Sequence, residues 1–158
     1  MSFDPGQFRT IIERTLTHIA GMNSPEAVDL LMGTSAQESR LGRYLFQVGG
    51  PAKGVFQMEP ATEEDIWGSY LGFRPSLSQA VTLVTGISGP DSWALTTDLA
   101  YQIVMARIHY RRVKEPLPAV GDLEGQAKYW KKYFNTPGGK GHPEEYVQNY
   151  NRYVKGKY

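Results

Sequence analysis

The chain has 158 residues, which is long enough to bury one hydrophobic core and does not require a second domain. The absence of cysteine excludes disulfide scaffolds, thiolate metal sites and cysteine nucleophiles. The net charge of +1 gives no overall reason to expect a nucleic-acid-binding protein. Residues 100–158 carry 11 basic and 5 acidic side chains, a balance that fits an anionic polymer or envelope surface and equally a solvated helix face.

Several other classes of protein find no support in the sequence. No apolar run is long enough for a signal peptide or a bilayer-spanning helix, so we expect no stable membrane insertion. The three histidines are far apart and lack H-E-x-x-H spacing, so we expect neither a metal site nor a cofactor. If the protein acts outside the cytoplasm, we expect another factor to carry it there.

Helical periodicity dominates the first forty residues. The segment QFRTIIERTLTHIA predicts an amphipathic helix that ends at Gly21. The apolar stripe of this helix consists of Phe8, Ile11, Ile12, Leu16 and Ile19. The segment NSPEAVDLLMGTSAQES predicts a second helix, with Ser24 as its N-cap and Pro25 at its first position.

The rest of the chain alternates between helical and turn-forming segments. The segments PATEEDIWGSYL, TTDLAYQIVMARIHYRR, LEGQAKYWKKYF and PEEYVQNYNRYV predict four further helices. Between them, RYLFQVGGPAKGVFQMEP favours a short strand or hairpin, while TGISGPDSW and TPGGKGHP favour turns. We therefore predict one mostly α domain covering residues 1–158, with a small irregular or β region directly after the second helix.

One acidic side chain of the second helix has an unusual place in the pattern. Ala27, Leu31, Ser35 and Glu38 follow at spacings of four, four and three, so they share one face. An acid at the end of a core-facing stripe loses solvation, which raises its pKa above the ordinary value of about 4.3. A carboxylic acid that keeps its proton near neutral pH can act as a general acid. The alternative is that Glu38 is an ordinary helix-terminal glutamate, hydrogen-bonded to Ser39 or Arg40.

Three short motifs follow Glu38 in the order and spacing of a known family. Glu38 and Ser39 close a helix, GVFQ at 54–57 precedes PAT at 60–62, and YFN at 133–135 precedes Gly138. Over residues 24–154 the chain therefore resembles the lysozyme-like lytic transglycosylases, of the soluble-lytic-transglycosylase type found in bacteria and phages. It departs from the family pattern at Phe56, at Glu59, and at Phe134, which lies between the tyrosine and the asparagine of the third motif.

The resemblance implies a fold and a reaction. The fold is a lysozyme-like α+β fold, and the reaction cleaves the β-1,4 bond between N-acetylmuramic acid and N-acetylglucosamine in peptidoglycan. Glu38 would be the catalytic acid and base of this reaction, which leaves a 1,6-anhydro sugar and consumes no water. The residues that the resemblance, or their nearness to its motifs, assigns to substrate binding are Ser39, Phe56, Gln57, Glu59, Asn135 and Tyr146. Tyr150 is an alternative to Tyr146, because the last helix can be aligned to the family in two ways.

Two alternative functions stay open. A second carboxylate would allow ordinary hydrolysis, as in a lysozyme-type muramidase, and Glu59 is the candidate for it. The chain could instead be a catalytically silent glycan-binding or structural virion module.

We expect the partner to be peptidoglycan glycan strands, with no nucleic acid, and the protein to be a monomer. The expected setting is phage-induced cell lysis, in which an endolysin stays in the host cytoplasm until a holin-type pore releases it to the wall. Association with the virion is the alternative. We expect the TPGGKGH turn to border the cleft.

Overall fold

The structure is a computed structural model that describes residues 1–135 and 138–157. The structure is about 61% helical, and strands are almost absent from the residues that it describes. The α-helices in chain order are α1 (Pro5–Thr17), α2 (Pro25–Ser39), α3 (Pro60–Asp65), α4 (Pro75–Thr85), α5 (Ala94–Thr97), α6 (Leu99–Arg111), α7 (Leu123–Trp130) and α8 (Pro143–Tyr153). A π-helical turn follows α3 at Ile66–Tyr70 and another follows α7 at Lys131–Asn135, while Leu71–Phe73 forms a 3-10 turn. The prediction of a mostly α chain is confirmed.

The start of α2 confirms the predicted capping pattern. Pro25 is the first helical residue, and the Ser24 hydroxyl oxygen accepts a hydrogen bond from the Ala27 backbone N–H at 3.1 Å. This bond satisfies one of the N–H groups that a helix start leaves without an intrahelical partner. The beginning of α2 is therefore set locally, by residues adjacent in sequence.

The first helix is shorter than predicted, and one residue that was predicted to lie in its buried stripe is exposed. It ends at Thr17 and not at Gly21, and Ile11 is 41% exposed. Phe8, Ile12 and Leu16 are buried because they are spaced by four residues along one face. Ile11 lies beside that face, so its assignment to the core stripe was wrong.

Two further helical predictions need correction. The helix predicted over residues 96–112 is divided at Asp98, whose extended backbone separates α5 from α6 and whose side chain accepts from the Tyr101 N–H at 2.9 Å. Asp98 is thus the N-cap of α6. In addition, α4 has no counterpart among the predicted helices, because several β-branched residues weaken the helical signal there.

The irregular region after α2 contains only the beginnings of a sheet. Lys53 forms antiparallel bridges with Phe46 and with Met58, and no bridge extends into a strand. The predicted small irregular or β region is therefore present as a set of turns. None of the described helices is long and apolar enough to span a bilayer.

The helices α2 and α6 lie in the interior of the molecule. Almost every residue of α2 from Ala27 to Ala36 is buried, whereas α1, α7 and α8 each bury one side. α1 packs on α6, and α8 packs on both α2 and α7. Because α2 is covered from Ala27 to Ala36, only its two ends reach the surface, at Pro25 and Glu26 and at Gln37 and Glu38.

Candidate functional site

A cleft of about 450 Å³ opens at the C-terminal end of α2. Its lining comes from the end of α2, from residues 47–62, from α6 and from residues 134–141. The polar side chains that line it are Glu38, Gln47, Gln57, Glu59, Thr62, His109, Asn135 and Lys140. Four of the predicted site residues, Glu38, Gln57, Glu59 and Asn135, therefore lie in one cleft, although up to 97 positions separate them in sequence.

The turn that ends α2 explains how Glu38 is placed at the cleft. Arg40, Leu41 and Gly42 all have left-handed backbone conformations, with φ of 53°, 55° and 80°. The Ser39 hydroxyl oxygen accepts from the Gly42 N–H at 2.8 Å, and the hydroxyl donates to the Ser35 carbonyl at 3.2 Å. The chain thus leaves the helix abruptly after Ser39, one residue beyond Glu38. Ser39 is buried and holds this turn, and it does not line the cleft.

The environment of Glu38 favours its protonated form. The carboxylate is only partly exposed, and its Oε2 accepts a hydrogen bond of 2.9 Å from Trp130 Nε1. Burial raises the pKa of Glu38 to about 7, and the Trp130 bond opposes this shift because it stabilises the charged form. At neutral pH, Glu38 can therefore both donate and accept a proton.

A buried aromatic layer holds Trp130 in place. The ring of Tyr146 lies 5.7 Å from the Trp130 ring, and both side chains are almost fully buried. The Tyr146 hydroxyl lies 3.1 Å from Gln126 Oε1 and 3.3 Å from the Leu30 carbonyl oxygen, so α2, α7 and α8 meet at this side chain. Tyr146 does not line the cleft, and its ring packs on the tryptophan that bonds Glu38.

Tyr150, the alternative to Tyr146, also points away from the cleft. Its hydroxyl donates to Asp29 Oδ1 in the buried interior. Asp29 Oδ2 accepts from Gln126 Nε2 at 2.7 Å and from the Gly121 N–H at 2.9 Å. Tyr146 and Tyr150 therefore belong to one buried polar network that joins the helices.

The second motif is fixed to α6 at a glycine. A Cβ on Gly54 would lie 1.9 Å from the Leu95 carbonyl oxygen and 2.3 Å from Gln102 Oε1, so no side chain fits there. Gln102 Oε1 also accepts from the Val55 N–H at 2.8 Å. Phe56, which follows, is 2% exposed and packs in the core, so it does not contact the cleft.

Gln57 lines the cleft in a strained conformation. Its φ is 48°, a left-handed value that costs a non-glycine residue about 1–2 kcal/mol. Its Nε2 donates to the Gly54 carbonyl at 2.9 Å, which holds the amide close to its own turn. Strained residues of this kind are concentrated at functional sites, where the surrounding structure holds them in place.

Glu59 and Asn135 occupy different sides of the cleft. Glu59 is exposed and directly precedes α3, and its side chain makes no capping bond there. Asn135 ends the π-helical turn after α7, and its Oδ1 accepts from Lys131 Nζ at 2.8 Å. The third motif thus reaches the cleft through Asn135, while Gly138 is exposed outside it.

Three residues of the site have no counterpart among the predicted motifs and turns: Gln47, His109 and Trp130. Thr62 lies in the PAT motif and Lys140 in the TPGGKGH turn, although neither was assigned a role. Trp130 lies 92 positions from Glu38, so no local pattern links them. His109 Nδ1 lies 2.8 Å from Arg112 Nη2, and burial, followed by the Arg112 charge, lowers the pKa of His109 to about 4. His109 is therefore neutral near pH 7.

The structure describes only part of the TPGGKGH turn, which was expected to border the cleft. Gly139, Lys140 and Gly141 line the cleft, as expected of a bordering loop. Thr136 and Pro137, the first two residues of that turn, lie outside the described residues.

Within residues 1–135 and 138–157, no group of three histidine, aspartate or glutamate side chains is arranged to hold a metal ion. The site is thus an open cleft with one partly buried acid, a tryptophan bonded to that acid, and the amides of Gln47, Gln57 and Asn135 in the lining. Comparison with other proteins does not extend this description, because no family model, curated protein or solved structure matches the chain.

Proposed function

We propose that the chain is a peptidoglycan lytic transglycosylase with a lysozyme-like arrangement of its cleft. The observation that carries the proposal is Glu38, an acid with a pKa of about 7 at the floor of a 450 Å³ cleft and bonded to a buried tryptophan. A glycan-cleaving enzyme needs a group that holds a proton at neutral pH and releases it to a leaving oxygen. The resemblance of the surrounding motifs to the lytic transglycosylases supplies the substrate class.

The reaction needs only one carboxyl group of the protein. Glu38 gives its proton to the glycosidic oxygen as the bond to the anomeric carbon breaks, and the substrate's 2-acetamido group stabilises the positive charge left there. The Glu38 carboxylate then takes the proton of the 6-hydroxyl, whose oxygen bonds to the anomeric carbon. Glu38 ends protonated, as it began, and the product is a 1,6-anhydro sugar.

The amides of the cleft fit the polar groups of such a substrate. Gln57 and Asn135 line the cleft on different segments, and each carries both a donor and an acceptor. An N-acetyl sugar presents a carbonyl oxygen and an N–H group at one position, which amide side chains can bind as a pair. We assign these two residues to orienting the acetamido group.

Hydrolysis of the same bond is the second candidate, because Glu59 lines the same cleft as Glu38. In an inverting or retaining glycosidase the second carboxylate activates water or attacks the anomeric carbon. Glu59 is exposed, and an exposed carboxylate is well suited to hold a water molecule.

Mass spectrometry of the soluble fragments released from purified peptidoglycan separates these reactions. With the wild type we expect fragments ending in 1,6-anhydro-muramic acid. With Glu38→Gln we expect release to fall by at least about 100-fold, since that is what positioned acid catalysis contributes. Glu59→Gln should leave the anhydro product in place.

Three other results would contradict the proposed reaction. Reducing-end fragments, one water heavier and lost in Glu59→Gln, would replace the proposal by the hydrolase. Absence of fragments where a lysozyme releases them, with glycan affinity retained, would replace it by a silent binding module. Unchanged release by Glu38→Gln would remove Glu38 from the mechanism.

A further inference from the structure

One end of the cleft is formed by a glycine-rich turn that carries a lysine. The turn comprises residues 138–141, and its Gly139, Lys140 and Gly141 line the cleft. With glycine on both sides of Lys140, no other side chain of the turn stands between its ammonium group and a bound molecule. A bound chain can also approach the backbone closely here.

Two independent contacts fix this turn relative to the acid. Lys131 Nζ donates to the Gly139 carbonyl at 2.7 Å and to Asn135 Oδ1 at 2.8 Å, which ties the turn to the end of the π-helical segment. A Cβ on Gly141 would lie 2.4 Å from Trp130 Cη2, so the turn rests directly on the indole.

The indole of Trp130 therefore connects the turn with Glu38. Its Nε1 donates to Glu38, while Cη2 and Cζ2 of the same rigid ring face Gly141, the residue next to Lys140. Glu38 and the glycine-rich turn are thus held against one aromatic side chain. We therefore expect a substituent of the reacting sugar, or of its neighbour, to meet the cleft lining near Lys140.

The cleft lining carries charges of both signs on separate segments of the chain. Glu59 belongs to the segment 47–62, whereas Lys140 belongs to the segment 134–141. The imidazole of His109 adds no positive charge near neutral pH. An anionic group in the cleft is therefore attracted towards the glycine-rich turn and repelled from Glu59.

We propose that Lys140 is a specificity-determining residue that binds a carboxylate on the 3-O-lactyl arm of the muramic acid sugar. The inference rests on the proposed function, because that function supplies a glycan whose alternate sugars carry such arms. Two carboxylates have this chemistry: the lactyl carboxylate itself, where the arm is free, and those of the stem peptide, where the arm is substituted. An uncharged glycan lacks both and gains nothing from Lys140.

The test measures KM and kcat for wild type, Lys140→Gln and Lys140→Arg on three forms of soluble glycan strands. The first form carries its stem peptides, the second has had them removed by an amidase, and the third has its carboxylates converted to amides. We expect Lys140→Gln to raise KM about fivefold on a carboxylate-bearing form, the upper end for one exposed ion pair, and to leave kcat unchanged.

The controls isolate the charge and its source. Lys140→Arg should keep the wild-type KM, and Lys114→Gln, at an exposed lysine outside the cleft, should behave as wild type. On the amidated strands, wild type and Lys140→Gln should have equal KM. A KM difference on peptide-free strands assigns the lactyl carboxylate, and a difference confined to peptide-bearing strands assigns the stem peptide.

Failure of this inference and failure of the proposed function give different results. Turnover with a KM that Lys140→Gln leaves unchanged, or raises equally on amidated strands, overturns the inference alone. If the wild type shows no turnover, dissociation constants of Glu38→Gln and Glu38→Gln/Lys140→Gln decide. If these two dissociation constants differ fivefold and amidation of the strands abolishes the difference, Lys140 binds the carboxylate in a protein that binds glycan without cleaving it. If the two constants are equal, the inference about Lys140 is overturned.

Discussion

The two long sides of the cleft are held in place by different kinds of contact. The helical side consists of Glu38 on α2 and Trp130 on α7, with Tyr146 of α8 behind them. The loop side consists of residues 47–59. On the helical side, Trp130 reaches Glu38 across 92 positions, and Tyr146 reaches Gln126 across 20.

On the loop side, Val55 is bonded to Gln102 of α6, but the side-chain amides are held by contacts that are short in sequence. Gln47 Oε1 accepts from the Ala52 N–H at 3.1 Å, and Gln57 Nε2 donates to the Gly54 carbonyl at 2.9 Å. Lys53 and Met58 exchange two backbone hydrogen bonds of 3.0 Å. The position of the acid therefore depends on the packing of the whole molecule, whereas the amides of Gln47 and Gln57 depend on local turns. Changes on the helical side should therefore alter stability, and changes on the loop side should mainly alter substrate binding.

The largest effect is expected where α2 meets α8. In Gly33→Ala the new Cβ would lie 2.1 Å from the Tyr146 hydroxyl oxygen and 2.5 Å from its Cζ, with Tyr146 fully buried. We expect the free energy of unfolding to fall by about 3 kcal/mol, measured by urea denaturation, because a packed core cannot absorb this overlap without moving a helix.

Gly68→Ala provides the matched control for that substitution. No heavy atom lies within 4 Å of a Cβ built on Gly68, which is exposed on the π-helical turn after α3. Its stability should be unchanged or slightly increased, because alanine is the better helix former. Equal losses in the two variants would show that the contact between α2 and α8 is not what holds the helical side.

The second effect concerns the pH dependence of stability. Since burial raises the pKa of Glu38 to about 7 from an ordinary value of 4.5, the folded protein binds this proton more tightly than the unfolded chain does. This contribution is fully present below pH 4.5 and is lost as pH rises through 7. Relative to Glu38→Gln, the wild type should lose about 3 kcal/mol of unfolding free energy between pH 4.5 and 8.

Parallel urea titrations of the two proteins at several pH values measure this difference. Subtracting the curves removes the contributions of all other titrating groups, provided that they are the same in both proteins. A constant difference across the range would mean that Glu38 titrates in the folded protein as it does in water. The acid would then not be available at neutral pH.

The smallest effect is expected on the loop side, at Gln57. With φ at 48°, this position favours glycine, so Gln57→Gly should be about 1 kcal/mol more stable than Gln57→Ala. Both variants remove the amide from the cleft, and both should lose the same share of turnover.

Gln47 supplies a control of opposite sign. It lies outside the left-handed region, so Gln47→Gly should be less stable than Gln47→Ala by several tenths of a kcal/mol. Thermal unfolding of the four proteins measures both differences. If glycine were disfavoured at both positions, the turn at Gln57 would not carry the strain assigned to it.

The sequence by itself determined the elements whose causes are local. Ser24 and Pro25 set the start of α2, because a capping bond spans three residues. The spacing of Ala27, Leu31, Ser35 and Glu38 predicted that the acid lies at the end of a buried stripe, and the first three of these side chains are buried. The helix break at Asp98 was also open to prediction, since an aspartate before an apolar run is an N-cap signal.

Only the tertiary structure decided which side chains surround Glu38. Phe56 and Tyr146 were assigned to the site from the motifs and yet lie in the core, whereas Trp130 and His109 belong to no site motif and lie at the cleft or against its acid. The spacing of residues along one helix shows which face they share but not what packs on that face. The raised pKa of Glu38 depends on burial by segments distant in the chain, so it arises only when α2, α7 and α8 have packed together.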